Sequence, residues 1–192
     1  MAMNFEELKS HCRNDLSRYR GNRGCLRGTR AFFRYSGFRY SFFMRLSTYL
    51  RWHPLFKYVS PLVLFFHWHY RTLYNTEISY GTRVGPGLYI PHTGGIVINP
   101  SAKIGARCYL AHNVTIGKVH SGEKQGVPVI GDDVFIGVGV VLLGAIKIGD
   151  NVAIGANSVV VSDIPSNCFA AGSPAKVISD KGAKEILGYS ES

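Results

Sequence analysis

"IGDDVFIGVGVVLLGAIKIGDNVAIGANSVVV", residues 130–161, decides the fold. Ile130, Ile136, Leu142, Ile148, Ile154 and Val160 stand six residues apart, and a glycine directly follows four of them. A helix is disfavoured, because the 3.6 period is absent and glycine and β-branched residues are frequent. The period predicts a solenoid of very short parallel strands. One aliphatic side chain per six residues points inward, and small residues let the chain bend before the next strand. Three such sides close a triangular coil of about 18 residues, and coils stack at ~4.8 Å.

The pattern extends outward from this stretch. Upstream come Ile98, Ile104, Leu110 and Ile116, and beyond a two-residue slip Ile78, Val84 and Ile90. Between Ile116 and Ile130 the polar segment "GKVHSGEKQGVPV" (117–129) reads as a loop projecting from the wall. After Val160, "SDIPSNCFAAGSPAKVI" (162–178) carries two prolines and predicts a turn followed by a docking segment. The expected organisation is a solenoid domain over 76–179, a tail with a short helix over 180–192, and a helical segment over 1–75. Within that last segment helices are expected over 4–20 with Asn4 as N-cap, over 39–53, and over 55–74.

Charge separates the parts. Residues 1–75 hold 13 Lys/Arg against three acids and 18 of the 24 aromatics, whereas residues 76–192 hold nine charges of each sign. The whole +10 excess therefore sits in the first 75 residues. The basic charge comes with no nucleic-acid-binding motif, so no nucleic-acid partner is expected. The four cysteines are scattered without CxxC spacing, which predicts reduced thiols in a cytoplasmic protein rather than disulfides or a zinc site. No signal peptide is read in residues 1–20, and "PLVLFF" (61–66) is far short of the ~18–20 residues of a transmembrane helix.

Against a bland wall, "EISYGTRVGPGLYIPHTGGIVI" (77–98) holds one carboxylate, Glu77, and one imidazole, His92. The motifs "GLYIPHTGGIVINPSAKIG" (87–105), "VTIG" (114–117), "IGANSVVVSDIP" (154–165) and "AAGSPAKVI" (170–178) resemble the hexapeptide-repeat acyltransferases, and most closely their serine acetyltransferase-like branch, in particular its O-acetyltransferases of polysaccharide biosynthesis. The resemblance implies a mainly β fold, a left-handed parallel β-helix, with a short helical N-terminal segment. The handedness comes from the resemblance, since ordinary parallel crossovers are right-handed. It further implies a homotrimer using acetyl-CoA as co-substrate, with His92 as general base and Glu77 as its orienting carboxylate. An alcohol is a poor nucleophile at neutral pH, and imidazole suits the abstraction of its proton. The pantetheine arm would lie between neighbouring subunits along Gly137, Val138, Gly155 and Ala156, with Lys176 near the nucleotide phosphates. His112 and His120 are candidates for acceptor contact. The spacing of the three histidines does not match a β-helical metal site, so no metal is expected.

The acceptor is read from departures. Serine acetyltransferases carry an acid directly before the base histidine, where Pro91 stands, and an Arg-His pair where Gly126 and Val127 precede Pro128. These differences predict a sugar hydroxyl of a polysaccharide or glycolipid as acceptor. The alternatives are serine O-acetylation for cysteine biosynthesis and a non-catalytic scaffold. Arg39, Arg45, Arg51, Lys57 and Arg71 interleave with Phe42, Phe43, Trp52, Phe56, Phe65, Phe66 and Trp68. That pattern predicts peripheral contact of residues 39–74 with the inner face of a membrane.

Overall fold

The computed structural model describes residues 3–19, 28–51, 53 and 58–187. From Thr76 the chain winds through β1 (Thr76–Ile78), β2 (Arg83–Val84), β3 (Ile96–Ile98), β4 (Lys103–Ile104), β5 (Tyr109–Leu110) and β6 (Thr115–Gly117). It continues through β7 (Val129–Ile130), β8 (Phe135–Ile136), β9 (Val141–Leu143), β10 (Lys147–Ile148), β11 (Ala153–Ile154) and β12 (Val159–Val160). Successive strands go to successive sides of a prism. One sheet runs β1-β3-β6-β9-β12, a second β2-β4-β7-β10, and the third β5-β8-β11 with β13 (Phe169–Gly172). All these pairs are parallel; β14 (Ala175–Ser179) then folds back antiparallel on β13. This is the left-handed parallel β-helix anticipated from the repeat and the family motifs.

The period-six residues form the core. All thirteen, from Ile78 to Val160, are buried, with Val84 the most exposed at 8%. Burying each such side chain stabilises the fold by about 1.5–3 kcal/mol. Two corners of each coil require a left-handed residue. One is filled by Arg107, Asp133, Asn151 and Asn167 at φ between 54° and 61°, the other by Gly95, Asn113, Gly139 and Asn157 at φ between 56° and 70°. Asn, Asp and Gly tolerate that conformation best, which explains their recurrence at the turns. The glycine after the aliphatic residue has another cause. A Cβ on Gly131 would lie 2.3 Å from Asp150 Oδ1 and 2.9 Å from Gly149 C, so the stacked coils leave it no room.

The N-terminal helices close the open end of the solenoid. They are α1 (Phe5–Ser17), α2 (Gly28–Arg34), α3 (Ser36–Leu50) and α4 (Ser60–Leu73); a short α5 (Ala183–Ile186) follows β14. Asn4 and Glu7 make a reciprocal capping box at the start of α1. The first coil has no preceding strand to pair with, and polar side chains take that strand's place. Tyr40 Oη donates to Ile78 O at 2.9 Å and accepts from Ile78 N at 2.8 Å. Tyr19 Oη does the same for Ile90, at 3.1 and 3.0 Å. Asp15 Oδ1 accepts from Gly87 N and Leu88 N, and Arg45, paired with Asp15, donates to Val84 O and Gly85 O.

This packing corrects the membrane expectation for residues 39–53. Arg45 is 2% exposed in an ion pair with Asp15, and Phe43 stacks on Phe66 and lies against Tyr70. Arg39 lies over the rings of Phe32, Tyr70 and Tyr74. The alternation of arginine and aromatic residues here builds the interior of a helical cap rather than a lipid-facing surface. Trp52, Phe56 and Lys57 lie outside the described residues. No helix among the described residues is long and apolar enough to cross a membrane.

Candidate active site

The two-residue slip in the repeat is where the site begins. Tyr89 bridges to Tyr109, while Val97 pairs with Thr115. The corner between those pairings thus holds two more residues in the first coil than in the second. The extra length is the segment Pro91–Gly95, with Gly94 and Gly95 both at positive φ. Three polar contacts hold this enlarged corner: Gly94 N donates to Thr76 Oγ1 at 3.4 Å, Gly94 O accepts from Asn113 N at 2.8 Å, and the Thr93 hydroxyl lies 3.2 Å from that of Ser36 on α3. His92 stands exposed on it.

Register then aligns the other candidates. Leu110 pairs with Ile136, and Ile136 with Ile154. Two residues beyond these, the corner stacks His112, Val138 and Ala156 in one column, with Gly137 and Gly155 beside it; in the first coil Gly94 holds the matching backbone place, its carbonyl accepting from Asn113 N at 2.8 Å, and His92 reaches the column from the inserted segment. Backbone bonds carry the stacking through the corner, from Gly139 N to His112 O at 3.1 Å and from Asn157 N to Val138 O at 2.7 Å. The rings of His92 and His112 meet edge to face, 6.2 Å between centroids and 85° between planes. His112 is half-buried, and its Nδ1 is buried without a hydrogen-bond partner.

Other candidates stand apart. Glu77 lies on β1 one coil below Val97, and its carboxylate is 3.6 Å from Arg71 Nη2 of α4. Among the described residues no hydrogen bond joins Glu77 to His92. His120 lies in the loop after β6, a small hairpin closed by Val119 and Gly126 that packs through Lys124 O on Ala145 N. That is the opposite edge of the sheet from His92. Lys176 is exposed on β14. Sequence reading gave no site role to Ser36 or Thr93 and assigned Arg71 to membrane contact; of the three, only Thr93, next to His92, carried a local signal for the site. No group of three or more His, Cys, Asp or Glu side chains among the described residues is placed to hold a metal.

Comparison with known proteins agrees with the fold and changes the acceptor. Residues 128–162 match the family described as bacterial transferase hexapeptide (six repeats). The chain is 40% identical over 114 residues to the serine acetyltransferase of Synechococcus elongatus, covering 59% of this chain and 47% of that protein. It thus spans about half the length of that curated relative. The serine acetyltransferase of Neisseria gonorrhoeae, solved in complex with serine, superposes with a TM-score of 0.73 at 30% identity, over 89% of this chain and 69% of that one. The Brucella abortus serine acetyltransferase, solved with coenzyme A, gives a TM-score of 0.76 at 26% identity, over 93% and 70%. These relatives bear the name of serine acetylation, which overturns the sugar or glycolipid acceptor expected from Pro91, Gly126 and Val127. The physical reason is that stacking brings side chains from successive coils together, as it does His92 and His112, so an acceptor pocket is a tertiary feature. Two positions of a linear pattern do not define it. In fold, repeat and sequence the chain belongs to the hexapeptide-repeat acyltransferase family.

Proposed function

We propose that this protein is an acetyl-CoA-dependent O-acetyltransferase whose acceptor is the hydroxyl of serine. The observation that carries the reading is the overlap of 89% of the chain with an enzyme solved with serine bound. The coenzyme A complex of the Brucella enzyme supports the donor. In the reaction His92 takes the proton from the serine hydroxyl as its oxygen bonds to the thioester carbonyl carbon. Charge gathers on the carbonyl oxygen. Collapse breaks the carbon–sulfur bond, and the proton passes from His92 to the departing thiolate, leaving coenzyme A and O-acetylserine. Arg71 holds the Glu77 carboxylate at the edge of β1, and that side chain must swing from Arg71 to the imidazole to orient His92. Val138 and Ala156, with Gly137 and Gly155, line the pantetheine arm, and Lys176 serves its phosphates. His120, on the far edge of the sheet, reaches the acceptor bound at His92 of a neighbouring copy in the trimer.

Thiol release from acetyl-CoA tests the reading, with O-acetylserine identified by mass spectrometry. Serine-dependent turnover is expected, and His92→Ala should lower kcat by about 10²–10⁴. Thiol release indifferent to serine at millimolar concentration would overturn it. Three copies should pack side by side with the arm between them, so light scattering should give close to three times the 21.2 kDa chain mass. The membrane contact narrows to α4, where Leu62, Phe65, Trp68 and Leu73 are each more than half exposed beside the basic surplus. Salt-sensitive sedimentation with anionic but not neutral vesicles checks it; equal recovery with both would reject it.

A further inference from the structure

We infer that His112 is the hydrogen-bond donor to the oxygen that becomes negative in the transition state, with its Nε2–H aimed into the column between His92 and Val138. The inference rests on the acetyl-transfer reading above and assigns the part that reading leaves empty.

Three observations lead to it. First, the two ring nitrogens of His112 are unequal. Nδ1 is buried and makes no hydrogen bond, while Nε2 remains open. A buried N–H without an acceptor is rarer in folded proteins than a buried acceptor left bare. Placing the proton of the neutral ring on Nε2 avoids an orphaned N–H at the buried Nδ1. A histidine in that tautomer offers the site a donor, not a second base.

Second, the order of the column fixes where the donor stands. His92 occupies the first coil, His112 the second, and Val138 and Ala156 the third and fourth. The attacking oxygen belongs at His92 and the thioester sulfur at the pantetheine end, Val138 and Ala156. The carbonyl joining them lies at the level of His112. Third, the separation is suitable. An attacking oxygen sits about 2.6–3.2 Å from its base and an oxyanion about 2.7–3.1 Å from its donor. A tetrahedral carbon spanning both needs the two rings several ångströms apart, and the His92 and His112 centroids are 6.2 Å apart. In the step itself His112 transfers no proton. It bonds the carbonyl oxygen as the new carbon–oxygen bond forms and releases it when the carbon–sulfur bond breaks.

The test combines kinetics with a tautomer measurement on the full-length protein. His112→Ala should lower kcat by about 10²–10³, with KM for serine and for acetyl-CoA unchanged. His112→Gln, which restores an amide donor, should recover most of the loss. Long-range ¹⁵N–¹H spectra of the unliganded protein should show the Nε2–H tautomer at the signal absent from His112→Gln. Hydrolysis of acetyl-CoA, with water in place of serine, should fall in His112→Ala by a similar factor. That arm needs no acceptor, so a wild type inert towards serine but hydrolysing through His112 would reject the serine reading and keep this one. A loss confined to KM for serine would mean that His112 binds the acceptor's carboxylate, and would overturn the inference. An Nδ1–H tautomer, unchanged hydrolysis in His112→Ala, or a Gln variant as impaired as the Ala variant would also overturn it.

Discussion

His67 shows how one buried imidazole couples the cap to pH. It lies on α4 against the rings of Tyr40 and Tyr80, at 5.5 and 5.9 Å, and is 4% exposed. Burial is the main force that pushes it down from the usual 6.5 to about 4; a backbone bond at Ile78 opposes the shift and Arg71 adds to it. Between those values the unfolded chain binds a proton that the native state does not, so stability rises with pH across the window and is lost as pH falls. The full loss approaches about 3 kcal/mol near pH 4. His67→Phe should flatten the fall in urea midpoint between pH 7 and pH 4.5. An unchanged slope in the variant would assign that pH dependence to another group. His92 was legible from its motif because the enlarged corner needs the glycines that follow it. The direction of the Glu77 side chain was not legible. Its separation from His92 is close to a coil but falls short of the first one, in which Glu77 pairs with Val97, and Arg71, from a helix outside the repeat, is the partner it meets.

Each coil corner obeys rules that can be read along the chain, and that makes the element scale the most predictable one. The glycine after Ile130 is required by close approach of the next coil, not by its own backbone angle. Gly131→Ala should therefore destabilise the protein by about 1–3 kcal/mol, measured by chemical denaturation. Wild-type stability would mean that Asp150 moves aside freely. Moving Asp150 costs a hydrogen bond, because its Oδ1 accepts from Asp132 N at 2.7 Å. The same bond recurs one coil below, from Ala106 N to Asp132 Oδ1 at 2.8 Å, and Ser166 takes the place of the aspartate above. This ladder was visible only as aspartates after Ile-Gly in the sequence. Helix boundaries were less legible: α3 begins at Ser36, not 39, because Phe38 and Tyr40 are drawn into contact with the first coil and with α1.

Across the whole molecule, a buried ion pair within the cap ties it by hydrogen bonds to the solenoid. Asp15 and Arg45 are both almost wholly buried, and together they bond four backbone groups of the first coil. Asp15→Ala would leave a buried guanidinium unpaired and two amides without an acceptor, at a cost of about 3–5 kcal/mol. A Tm close to wild type in that variant would show that the cap is held by apolar contact alone. The sequence by itself determined the solenoid, its inward residues and its interrupted corner. A repeat packs against its own neighbours, so its contacts follow from the period. Only the tertiary structure decided what the first 75 residues do and how the site is assembled. The partners of a helix are surfaces far away in the chain, and no local pattern reveals that Arg45 is buried under a β-helix rather than facing a membrane. The column of His112, Val138 and Ala156 likewise exists only because register brings successive coils onto one edge, and His92 meets it through the enlarged corner of the first coil.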